Sequence, residues 1–140
     1  MDKYKLVDRN ENKIKEVVMS YNWGPHYIVP TDVLKSYSGM VLLREEFDED
    51  LLHKELQTLG ISGPIETITN PWYCRKKNTD TWVKIGESSN EQQNFPTRWD
   101  TTSLENGQYE VMGLMHVYVK KGTAEVAIAR QNVVEITVKN

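Results

Sequence analysis

The chain has 140 residues, 39% of them hydrophobic and 26% charged, with a formal charge of −3 at pH 7. A single domain of this size buries a hydrophobic core without disulfides or metal, and the slight acidic balance excludes the basic excess on which general nucleic-acid binding rests. The one cysteine, Cys74, excludes an internal disulfide, and no apolar run is long enough to span a bilayer.

The first residues, Met1 to Asp8, lack the apolar core of a signal peptide. The expectation is either a protein that works inside the cell or a piece of a longer one. Tyr4 to Asp8 alternates briefly before the polar turn Arg9–Asn12, and Lys13 to Tyr21 follows as a predicted strand rich in β-branched residues. Asn22 to His26 breaks it, and Tyr27 to Pro30 reads as a short edge segment because Pro30 cannot donate to a ladder. Ser38 to Phe47 is a predicted strand with Val41, Leu43 and Phe47 on one face and Met40 and Leu42 on the other, both faces partly covered.

From Asp48 the period changes. Leu52, Leu56 and Leu59 recur at helical spacing, acids gather at the front, and Gly60 stands where a C-cap belongs, which predicts a short amphipathic helix on the sheet edge. Gly63 to Asn70 is a further strand that Pro71 interrupts. Trp72 to Lys77 and Thr81 to Ile85 then flank the turn Asn78–Asp80 as a hairpin. Gln108 to Val119 alternates cleanly, with Tyr109, Val111, Gly113, Met115, Val117 and Val119 facing one way and His116 on the opposite face, exposed or lightly covered. After Gly122, Ala124 to Val138 makes one long strand with Arg130–Asn132 as its expected irregular point. Many strands at short spacing with one helix argue for an antiparallel sandwich.

Particular phrases sharpen that expectation. Ser38-Gly39-Met40-Val41 opens a strand, Trp82-Val83-Lys84-Ile85-Gly86 ends a hairpin, and Trp99-Asp100-Thr101-Thr102 precedes the corner Asn106-Gly107-Gln108-Tyr109. Val134-Glu135-Ile136-Thr137-Val138 closes the chain's last strand. From about Lys13 to Asn140 this order resembles the bacterial immunoglobulin-like (Big-type) domains of surface proteins, adhesins and multidomain polysaccharide-active enzymes, best over Trp99 to Val111. Two features depart from that family: a longer connection from Asp48 to Ser62, and more Lys and Glu.

The resemblance implies an all-β, immunoglobulin-like antiparallel β-sandwich of about seven strands. The helix is inserted between its second and third main strands. Residues 13–140 form the domain and residues 1–12 an N-terminal extension or extra strand. Trp99, Asp100, Gly107 and Tyr109 are then a structural corner: Gly107 takes positive φ, and Tyr109 returns its hydroxyl to backbone near the corner. Such modules are non-catalytic binders or spacers of bacterial or phage extracytoplasmic or surface assemblies, in contact with a protein partner or with neighbouring domains of a longer chain.

The chemistry-bearing residues agree with a non-catalytic role. His26, His53 and His116 fall on three different elements, and no HExxH, CxxC or EF-hand loop is present, so neither metal nor cofactor is expected. Asp48, Glu49 and Asp50 match no calcium loop and suit a helix N-terminus. Cys74 reads as a small buried hydrophobe, and Arg75–Lys77 as a solvated hairpin tip. The candidate binding residues are Tyr21, Trp23, His26 and Tyr27, aromatics and a histidine crowded into a loop broken by Gly24-Pro25. They suit a protein hot spot or, in an accessory carbohydrate-binding domain, a sugar-stacking platform; an intracellular regulator is a further alternative. Neither nucleic acid nor membrane insertion is expected. The last strand is placed at a sheet edge guarded by Glu125, Arg130, Glu135 and Lys139, which predicts a monomer in isolation.

Overall fold

A computed structural model describes residues 36–140 and, before them, the backbone of Val17–Met19. The elements are β1 (Val17–Met19), β2 (Ser36–Tyr37), β3 (Met40–Leu43), α1 (Glu49–Thr58), β4 (Ile65–Lys76), β5 (Val83–Ser88), β6 (Thr97–Asp100), β7 (Gly107–Lys121) and β8 (Ala124–Val138). The loop Tyr21–Tyr27, the edge segment Tyr27–Pro30 and the N-terminal extension lie outside the described residues.

The molecule is mostly β. A curled, mixed sheet runs in the order β1-β8-β7-β4-β5, with β2 also on β8, and a two-stranded antiparallel ribbon, β3–β6, forms the second sheet. Alternation decides which side each residue takes. On β7, Tyr109, Val111, Met115, Val117 and Val119 are all buried. Opposite them on β8, in a ladder unbroken from Gly107↔Val138 to Lys121↔Ala124, stand Val126, Ile128, Val134, Ile136 and Val138.

Two apolar clusters share this inner face. In one, Val41, Leu43 and Trp99 of the ribbon pack with Trp72, Cys74, Tyr109, Val111, Ile136 and Val138. In the other, Leu52 and Leu56 of α1 pack with Ile68, Phe95, Met115, Val117, Val119, Val126 and Ile128. The helix therefore covers the middle of the sheet beyond the ribbon's reach, rather than its edge. It starts where the Asp48 carboxylate accepts from Leu51 N at 3.1 Å, with Glu49 and Asp50 in the first turn, and it ends before Gly60 at φ 72°. Such an N-cap stabilises a helix by about 1 kcal/mol.

Further expectations are corrected. Pro71 does not interrupt β4, since the β4–β7 ladder passes from Thr69↔His116 to Trp72↔Gly113 without a bridge at Asn70 or Pro71, where the missing N–H would be needed. The β3 strand is covered on one face only, with Met40 60% and Leu42 43% exposed. His116 is buried and stacks on Tyr118, with ring centroids 6.1 Å apart. Finally, β8 is no edge: β7 pairs along one side, while β1 at Ala127–Ala129 and β2 at Thr137–Val138 pair in parallel along the other. Arg130 and Asn132 are in regular register and point inward, where both are buried.

Candidate functional site

The side chains of the Trp-Asp-Thr-Thr phrase and of the corner after it bond and pack within the fold. Trp99 is buried edge-on to Tyr109, with centroids 6.5 Å apart. Asp100 Oδ1 accepts from Thr102 N at 2.9 Å and Thr102 Oγ1 at 2.6 Å, which lowers its pKa. Thr101 donates through its hydroxyl to Gly39 O at 2.6 Å. Gly107 has φ 150°, a backbone region that side chains rarely adopt, and Tyr109 Oη donates to Glu105 O at 2.8 Å. Asn140 joins the same corner: its N donates to Asn106 Oδ1 at 2.8 Å and its side-chain amide to Thr101 O at 2.6 Å.

The remaining candidates stay apart. His53 is exposed on α1, 3.7 Å from Glu49, and His116 lies on the outer face of β7. Cys74 is buried and desolvation pushes its thiol pKa up, the opposite of nucleophile activation. No three His, Cys, Asp or Glu residues gather as a metal site among the described residues. Arg75–Lys77 pair with Glu110, Glu105 and Glu135, and Arg75 lies over the Trp82 ring at 4.2 Å. Among the described residues, no helix is long and apolar enough to cross a membrane.

Sequence reasoning missed a buried polar belt between the two apolar clusters. Arg130 Nη2 donates to Glu45 Oε1 at 2.9 Å and to Glu46 O at 2.7 Å. Arg130 is 1% and Glu45 0% exposed. Burial raises the Glu45 pKa, while Arg130 pulls it back. The amides of Asn70 and Asn132 also draw it down, although neither meets the carboxylate in hydrogen-bond geometry. Gly113 leaves room for this group, because a Cβ there would strike Glu45 Oε2 and press on Trp72. The belt is a clamp: it ties the stretch after β3 down onto β8.

Above that clamp, on the outer face of the ribbon, lies a groove of about 630 Å³. Its floor is Leu42, Arg44, Pro96 and Arg98, and its wall is the loop with Gln92, Gln93 and Asn94. Alternation puts Leu42 and Arg44 on the face opposite the buried Leu43 and Glu45, and Arg98 stands directly across from Leu42. The loop is held rigidly. Trp72 Nε1 donates to Phe95 O at 3.0 Å from the buried side, Glu45 N to Asn94 O at 2.9 Å, and Asn94 Nδ2 to Glu46 Oε1 at 3.4 Å. Asn94 and Phe95 both take positive φ, 63° and 53°. For a residue as bulky as Phe that is a strained backbone, kept by its fully buried ring and these bonds.

Arg44 and Arg98 take part in no ion pair or side-chain hydrogen bond among the described residues, whereas Arg75 and Arg130 are each paired with a glutamate. The groove thus presents two guanidiniums and a row of amides beside exposed aliphatic surface. A hint was present in the alternation Met40-Val41-Leu42-Leu43-Arg44, which places Arg44 with the exposed Met40 and Leu42. The partner Arg98 becomes its neighbour only through the β3–β6 pairing. Comparison with protein-family models, with curated proteins and with solved structures finds no match for this chain.

Proposed function

We propose that the chain is an immunoglobulin-like, non-catalytic binding module that holds a protein partner, as in bacterial or phage surface assemblies. The order of its strands supports the fold half of this reading. With β3 as strand B, β4 as C, β5 as C′, β6 as E, β7 as F and β8 as G, one sheet reads G-F-C-C′ and the other B-E. The Tyr109–Glu105 bond sits at the E–F corner, where immunoglobulin-like folds place their tyrosine corner. Fold alone does not decide function. The observation that carries the binding half is the groove itself, with a strained, hydrogen-bonded loop for its wall and, in its floor, two arginines that have no ion-pair partner among the described residues.

Peptide and glycan arrays probed with the labelled protein test the reading. Saturable binding to peptides is the expected result. Binding to glycans alone, lost in Trp23→Ala, transfers the reading to a carbohydrate-binding domain. A blank on both arrays overturns the binding module.

A further inference from the structure

We infer that the groove on the β3–β6 ribbon receives an extended, acidic segment of a partner protein, with a carboxylate between Arg44 and Arg98 and an aliphatic side chain on Leu42. This deepens the binding-module reading and rests on it.

Charge makes the first part of the argument. Arg44 follows β3 directly, Arg98 of β6 stands opposite Leu42, and both line the groove. Two like charges on one face repel; the nearby carboxylates of Asp100 and Glu46 accept hydrogen bonds from Thr102 and Asn94 and form no ion pair with either arginine. A carboxylate arriving between them relieves the repulsion and accepts charge-assisted bonds from planar guanidiniums, whose fork suits it.

Shape and apolar surface make the second part. Met40 and Leu42 are exposed along the same strand face that carries Arg44. Residues two apart on a strand project about 7 Å apart. A ligand that matches Leu42 and Arg44 together therefore carries an aliphatic and an acidic side chain two residues apart in an extended chain. That is peptide spacing, and the amides of Gln92 and Gln93 along the wall suit peptide N–H and C=O groups. A uronic or sulfated sugar would satisfy the arginines but has no aliphatic group for Leu42 and Met40.

Fluorescence anisotropy with a labelled peptide, Leu-Ser-Glu-Ser-Leu-Ser-Glu, and its Gln-for-Glu twin tests the assignment on the full chain. Saturable binding of the acidic peptide is expected, weakened about tenfold in the twin and in each of Arg44→Gln and Arg98→Gln. It should also weaken with added salt. Lys121→Gln, an exposed charge elsewhere, should leave it unchanged, and thermal melts verify that each variant folds. Binding that survives both arginine substitutions overturns the groove while leaving the module reading intact. Absence of binding to the acidic peptide, with other peptides positive on the array, does the same. Tighter binding of polygalacturonate, displacing the peptide, overturns the peptide assignment in favour of an acidic sugar.

Discussion

Arg44 and Glu45 are adjacent in the chain and project to opposite sides of the ribbon, where the same kind of group serves opposite ends. Inside, Arg130 meets Glu45 buried from solvent and clamps the backbone of Glu46. Outside, Arg44 and Arg98 have no partner among the described residues and line an open groove. The buried charges specify where the ribbon and its loop sit, and the outer charges are left for something else to neutralise. Buried ion pairs are weak devices for net stability, so position is the more natural account of the inner one.

The contrast is broken most severely from the inside. Glu45→Gln or Arg130→Met leaves one buried group without its countercharge, an expected loss of about 3–5 kcal/mol in chemical denaturation. The double change Glu45→Leu with Arg130→Met should recover most of that stability, because no charge remains to be solvated. A double variant as unstable as the singles would show that apolar packing cannot replace the belt.

The same pair has a pH signature. Burial keeps the Glu45 carboxyl above its ordinary 4.5 despite Arg130. The folded state therefore retains a proton that the unfolded chain releases, and stability falls as pH rises from 4.5 through the raised folded value. Denaturation at steps across that window should show a decline in the wild type that the double variant lacks.

Loosening the groove wall comes next. Trp72→Phe removes the donor to Phe95 O and should cost about 1–3 kcal/mol, with faster amide exchange confined to residues 90–96. Unchanged exchange there would mean that the Phe95 ring alone holds the strained turn. Tyr109→Phe deletes only the bond to Glu105 O, an expected loss of about 1 kcal/mol in the same assay. The smallest effect belongs to the outer charges: Arg44→Gln and Arg98→Gln should each shift stability by no more than about 0.5 kcal/mol. A larger loss would place these arginines with the structural belt and not with the groove.

Local patterning made much of the architecture legible beforehand. The alternation from Tyr109 to Val119, the helix after Asp48 and the Asn106–Tyr109 corner all follow from spacing within one segment. What escaped depends on pairing across the chain. Arg130 looked like an edge charge because nothing near it in sequence announces Glu45, 85 residues earlier. His116 was expected to be lightly covered because alternation assigns a face but not what lies over it. The groove escaped for the same reason, since Leu42 and Arg98 become neighbours only when β3 and β6 pair.

The place of β8 bears on how the chain is made. It is the last strand in sequence, yet β1 and β2, the first two described, pair with it and not with each other. On a ribosome these early strands emerge long before their partner and have no ladder to join until β8 is released. Assembly of the sheet's far side is thus deferred until β8 has been made, and the wide separation of these strands in sequence makes that step a slow one. Until it closes, the side of β8 that receives β1 and β2 is an unpaired edge, a period when an aggregation-prone intermediate is exposed to other chains.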